Sequence, residues 1–264
     1  MGEVKTLGNF LAMYKPIECD FECGLHGYVH GYYIERGGEK EYCCPECEKE
    51  EREKEKEEEI KREAEYLRQS RYNAYKERNI EPEYWGKELK DFIPETPEQK
   101  KALEAVETLI AEKSGKVILL GSNGVGKTFL GCMAVKALGG KILSMYEITT
   151  MIRQCYSSRA EMTELEFVEK LANLPLLVID EMGRTKGSEA ELNWLSYILD
   201  KRHTRNLPFM ILTNTHLSRD CPKKGCENCF ERFVNNDVLS RLRQNSKVIT
   251  IKAPDYRAKR GWKI

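Results

Sequence analysis

One stretch of the chain has the residue types and spacing for phosphate chemistry. Gly121, Ser122, Asn123, Gly124, Val125, Gly126, Lys127 and Thr128 follow one another and fit G-x-x-x-x-G-K-S/T in full. At ordinary residue frequencies such a match arises by chance in about one chain in a hundred of this length. Glycines let the backbone wrap close to phosphate oxygens, with amide N–H groups pointing inward. A helix that opens at Lys127 adds the positive end of its dipole. Lys127 is placed to bridge the outer phosphates of ATP, and Thr128 to ligate Mg²⁺. The nucleotide-binding set runs on to Phe129.

Two further segments complete that chemistry. Asp180 and Glu181 follow the apolar run 176–179. Asp180 is placed to hold Mg²⁺ through water, and Glu181 to polarise the attacking water. A kinase must keep water away from the γ-phosphate, so this second acid favours hydrolysis over transfer. The run 209–212 ends in Thr213 and Asn214. If that strand lies between the other two, Asn214 comes near the γ-phosphate.

The ten cysteines suggest a second kind of site. Clustered cysteines in a chain without a secretory leader more often hold metal than form disulfides. Cys23-x2-His26 and Cys44-x2-Cys47 are two ligand pairs separated by residues 27–43. Each pair presents two donors from one tight turn, and two such turns complete a tetrahedron around Zn²⁺. Cys19, Cys43 and His30 compete for the same places. Four protein ligands leave no open position, so the role is structural. His216, Cys221, Cys226 and Cys229 could form a second set, with Lys223-Lys224-Gly225 as a turn facing nucleic acid; the alternatives are reduced surface cysteines or a disulfide formed on oxidation.

These groups need elements to hold them. Strands are expected at 117–120, 141–145, 176–179, 209–212 and 248–251. Helices are expected at 98–113, from the glycine-rich turn to 138, and at 147–157, 163–172, 188–205 and 230–244. Strands alternating with helices of this length imply a parallel sheet covered on both faces. Residues 46–65 differ: 17 of 20 are charged, with no apolar stripe, which implies a solvated helix or a spacer. The expected divisions are a zinc module at 1–47, a spacer at 48–70 and the ATPase domain at 71–264, with a cysteine-rich insertion at 216–230.

Composition excludes some classes. The chain has 264 residues and no apolar run long enough for a membrane span, so no membrane partner and a cytoplasmic location are expected. Its net charge of zero hides an uneven distribution, since residues 182–264 carry 17 bases and 8 acids. A basic C-terminal third suits contact with phosphate.

In this order and spacing, the glycine-rich loop, the Asp-Glu pair and the strand-end Thr-Asn resemble the AAA+ ATPases. More narrowly, residues 72–264 resemble the DnaC/DnaI-type helicase loaders and the related IstB transposition ATPases. The matching text is Asn79-Ile-Glu-Pro, Val178-Ile-Asp-Glu-Met-Gly183, Leu212-Thr-Asn214, Leu239-Ser-Arg241-Leu242 and Asp255-Tyr-Arg257. The resemblance implies an α/β fold: a P-loop AAA+ domain with a five-stranded parallel sheet, behind a small zinc-binding module and a charged helical spacer. It implies that Arg241 is an arginine finger reaching a neighbouring subunit's ATP, so that self-association controls hydrolysis. It implies that Arg257 touches the γ-phosphate of its own subunit. It places a DNA-facing helix between residues 147 and 171, where Arg153, Tyr156 and Arg159 are candidates for single-stranded DNA. The implied activity is an ATP-dependent loader of a hexameric replicative helicase, gripped by the zinc module. The alternative is an IstB-like helper that binds duplex DNA and a transposase. The cysteine-rich insertion is foreign to that family pattern.

Overall fold

The computed structural model describes residues 15–157, 159–183, 189–221, 223, 226, 229–234 and 236–257. These fall into two units, one ending at Arg71 and the other starting at Tyr72.

The first unit holds an antiparallel meander of β1 (Ile17–Cys23), β2 (Gly27–Arg36) and β3 (Glu39–Cys43), in that order. None of these three strands is among those expected from the sequence. Phe21, Tyr33 and Tyr42 pack on one another with ring centroids 5.1 and 5.7 Å apart. Gly31 lies against β3 so closely that a Cβ would overlap the Cys43 carbonyl. Among its described residues only Gly31 and Cys44 are buried, far too little for a self-sufficient core.

Helix α1 (Pro45–Glu77) follows and buries no side chain. Its charge run is laced by i,i+4 pairs, Glu48 with Arg52 and Glu58 with Arg62.

The second unit is a five-stranded, all-parallel sheet in the order β5-β6-β7-β4-β8. The strands are β4 (Lys116–Gly121), β5 (Lys141–Ser144), β6 (Leu177–Met182), β7 (Phe209–Thr213) and β8 (Ser246–Ile251). Strand alternation sends side chains to two separate cores. Ile118, Leu120, Leu177, Ile179, Phe209 and Ile211 face one side. That side is covered by α4 (Met145–Gln154), α5 (Glu164–Ala172), α6 (Glu189–Thr204) and α8 (Asn236–Arg243). Val117, Leu119, Val178, Met210 and Leu212 face the other, under α2 (Pro97–Glu112) and α3 (Lys127–Leu138). Each such buried aliphatic side chain stabilises the fold by about 1.5–3 kcal/mol.

Local signals set the helix starts. Thr96 with Gln99, Ser144 with Glu147 and Thr163 with Glu166 form reciprocal capping boxes. The Ser144 box begins α4 at Met145, so the strand expected through residue 145 is one residue shorter. The helix expected at 230–244 is two pieces, α7 (Phe230–Phe233) and α8. The chain turns extended at Val234, with φ −94° and ψ 143°. Asn235 and Asn236 follow, and asparagine competes with the backbone for helical hydrogen bonds.

Candidate functional site

Three parallel strands end side by side at the glycine-rich loop. β7 lies between β6 and β4, so Asn214 leaves the sheet between Asp180 and Gly121. The Lys127 ammonium donates to Asn214 Oδ1, Gly121 O and Ser122 O, each at 2.8 Å. The Thr128 hydroxyl donates to Asp180 Oδ2 at 2.8 Å. Glu181 sits in the left-handed region at φ 52°, its N–H donating to Asp180 Oδ1 at 2.7 Å. That kink leaves the Glu181 side chain exposed at the mouth of the site.

The electrostatics follow from burial. Lys127 is only 6% exposed, and desolvation pushes its pKa down to about 8. The positive charge of Arg257 pushes the same way, and Asp180 opposes it. Burial raises Asp180, against its bonds from Glu181 N–H and Thr128. A buried cation and carboxylate at one strand-end suit a polyanion and a divalent ion.

Both ends of the unit hold the loop. The Gln99 side chain of the α2 cap donates to Val125 O at 3.3 Å. The Phe92 ring stands where a Cβ on Gly126 would be, and it stacks on Phe129 at 5.8 Å. The Asp255 carboxylate fills the same place at Gly124 (φ +74°), and Tyr256 N–H donates to Gly124 O at 3.0 Å. This docking carries Arg257 toward Lys127. Nothing local in the sequence relates Gln99 or Asp255 to a loop many residues away.

Arg241 lies on α8 and is engaged within its own chain. Both oxygens of the Asp200 carboxylate on α6 accept from its guanidinium, the Nη2–Oδ2 distance being 2.7 Å. Arg153 is exposed at the end of α4, and Arg159 is exposed in the following turn. The Tyr156 hydroxyl donates to Glu164.

The metal candidates assemble within the first unit. The ligand atoms of Cys23, His26, Cys44 and Cys47 all lie within 4.8 Å of one another. His26 Nδ1 is 3.3–3.8 Å from the three sulfurs. A tetrahedral Zn²⁺ with ordinary bond lengths puts sulfur and nitrogen ligands about 3.6 Å apart, so the donor set fits. Glu50 Oε1 is 3.2 Å from His26 Nε2 and fixes the ring orientation, as carboxylates do behind metal-bound imidazoles. Cys44 is the buried member of its adjacent pair, and Cys43 Sγ points to Glu41 O instead. Cys19 lies outside the group, and His30 bonds to Asp20.

The family model described as IstB-like ATP binding protein matches residues 52–263. The chain belongs to the IstB-like ATP-binding family. Membership implies that the chain binds ATP. An insertion sequence IS21 putative ATP-binding protein of Pseudomonas aeruginosa is 28% identical over 185 residues, covering 66% of each chain. The replicative helicase loader DnaC of Escherichia coli is 24% identical over 189 residues, covering 68% of this chain and 73% of that one. The family chain therefore spans about two thirds to three quarters of the length of these relatives. The crystal structure of the DnaC helicase loader superposes with a TM-score of 0.54 at 22% identity, over 65% of this chain and all of that one. DnaA bound to AMPPCP and single-stranded DNA gives 0.52 at 19% identity, over 66% of this chain and 51% of that one. The likeness is one of fold: the five-stranded parallel sheet and its helices are arranged as in these structures. Among the described residues, no helix is long and apolar enough to cross a membrane.

Proposed function

We propose that this chain is an ATP-hydrolysing loader that delivers a hexameric replicative helicase to single-stranded DNA. One observation carries the reading: an AAA+ nucleotide site shares a chain with a separate, metal-ready Cys₃His unit. Residues 1–47, held by Zn²⁺ on Cys23, His26, Cys44 and Cys47, grip the helicase. Residues 48–70 are a spacer. Residues 71–264 form the ATPase domain, with residues 216–230 inserted.

In the site, the backbone of residues 121–129 wraps the ATP phosphates and the Lys127 ammonium donates hydrogen bonds to their outer oxygens. Thr128 and Asp180 hold Mg²⁺, whose charge offsets the negative charge on those oxygens. Glu181 takes a proton from the attacking water. Asn214 orients that water while staying bonded to Lys127. Arg257 meets the γ-phosphate from its own subunit, and Arg241 reaches the ATP of a neighbour. Arg153, Tyr156 and Arg159 supply two cations and a ring to single-stranded DNA. Hydrolysis then depends on assembly and times the release of the helicase in the cytoplasm.

A second reading, a helper ATPase that binds duplex DNA beside a transposase, is favoured by the 28% identity to the IS21 protein. A pull-down separates the two. The purified chain, with ATP and Mg²⁺, is offered a hexameric replicative helicase and, separately, duplex and single-stranded DNA. Capture of the helicase together with single-stranded DNA supports the loader. Coating of duplex DNA without helicase capture replaces it with the helper.

A further inference from the structure

The insertion between Asn214 and Arg241 contains a group that the ATPase reading does not use. His216, Cys221, Cys226 and Cys229 place one ligand atom each within 4.8 Å of one another. His216 Nε2 is 3.5 Å from both Cys226 Sγ and Cys229 Sγ. The spacing expected around tetrahedral Zn²⁺ is about 3.6 Å for such pairs. The backbone is braced to hold this arrangement. His216 and Cys229 form a parallel bridge, and Phe230 N–H donates to His216 O at 2.8 Å. Leu217 and Phe230, each next to a ligand, are buried in the core under α6 and α8. Cys229 is 3% exposed. Lys224 and Gly225, part of the turn expected to face nucleic acid, lie outside the described residues.

We propose that His216, Cys221, Cys226 and Cys229 form a second, structural zinc site that staples the end of β7 to the start of α7. Three thiolates and one neutral imidazole close the coordination sphere, so no position is left for substrate. Zinc displaces the three thiol protons to solvent. The clip closes the loop of residues 217–228, and its binding free energy adds to the stability of the folded chain. Its place in the chain gives it a consequence for the ATPase. His216 is two residues beyond Asn214, which holds Lys127. Cys229 precedes α7, which leads into α8 and Arg241. The clip therefore sets the span between Asn214, expected at the chain's own ATP, and Arg241, expected at the ATP of a neighbour.

The test is metal content and thiol protection of the full chain. After a weak chelator removes loose metal, the native protein is expected to carry two zinc per chain, and Cys226→Ser/Cys229→Ser one. Native alkylation mapped by mass spectrometry is expected to spare Cys221, Cys226 and Cys229 until a strong chelator is added. Cys19 and Cys43 serve as reactive controls. This readout needs no variant, so a folding failure of the double substitution leaves the proposal decidable. Prompt alkylation of Cys221, Cys226 and Cys229 overturns it. So does protection lifted by a reductant rather than a chelator, which marks a disulfide. So does retention of two zinc by the double variant. Protection of these three with prompt alkylation of Cys23, Cys44 and Cys47 keeps this site and removes the N-terminal one.

Discussion

The Asp200 carboxylate on α6 holds the Arg241 guanidinium on α8 through both its oxygens. The backbone of that helix end is tied as well, since Lys116 Nζ at the start of β4 donates to Arg241 O and Gln244 O at 2.8 and 3.0 Å. The two side chains are 30% and 46% exposed. Water and salt reach a pair this exposed, so a neighbour's phosphate can compete with Asp200 for Arg241.

An arginine finger predicts different outcomes for the two partners. Arg241→Ala should abolish the rise of specific ATPase activity with protein concentration, a loss on the order of 10³-fold when saturated. Asp200→Asn should keep that rise, or steepen it. Equal losses in both variants would mean that the pair only holds α6 and α8 together.

Glu181→Gln should keep ATP binding and reduce turnover by about 10²–10⁴-fold, the usual contribution of a general base. Nucleotide affinity and single-turnover rate measure the two effects separately. Unchanged turnover would make the chain a nucleotide-gated scaffold.

Burial holds Lys127 near pKa 8, below the 10.5 of a free lysine. The folded pKa is the lower one, so the buried charge costs stability at low pH, and the cost fades as pH rises from about 8 to 10.5. Phosphates favour the charged form. ATP binding between pH 8 and 9 should therefore take up protons. Calorimetry in buffers of different ionisation enthalpy reads this directly. A binding enthalpy independent of buffer would show that Lys127 keeps its proton throughout.

Arg202 is fully buried, and its two terminal nitrogens donate to backbone carbonyls: Leu171, Ala172 and Leu174 at 2.8–3.3 Å, and Pro175 and Pro208. It caps the C-terminal end of α5, where carbonyls lack helical partners. Arg202→Leu strips those acceptors and should cost about 3 kcal/mol or more in denaturant unfolding. A loss below about 1 kcal/mol would mean that water replaces the guanidinium.

Gly124→Ala puts a methyl group into the Asp255 carboxylate, at a backbone conformation that disfavours side chains. It should release the segment from Asp255 to Arg257 and weaken ATP binding, with little change in overall stability. Faster proteolysis at the C-terminal end checks the release.

The glycine-rich loop, the Asp-Glu strand and the Cys-x2-His and Cys-x2-Cys pairs are readable without a structure for one reason. Each works through neighbours in the chain: a tight backbone turn, a strand end, or two donors on one knuckle. The strand and helix alternation is readable too, because burial on both faces makes the strands continuous apolar runs. What folding decides is which distant segments meet. Cys44 rather than Cys43 joins His26, because β3 ends at Cys43, whose thiol points back to Glu41 O, and the buried Cys44 is the first residue beyond the strand. Phe92 and Asp255 close on Gly126 and Gly124 because the absent side chains leave room there. Asp200 finds Arg241, and Arg202 finds the end of α5, through helix packing against the sheet. Contacts of that kind depend on which faces the sheet order brings together, and no local pattern of residues records them.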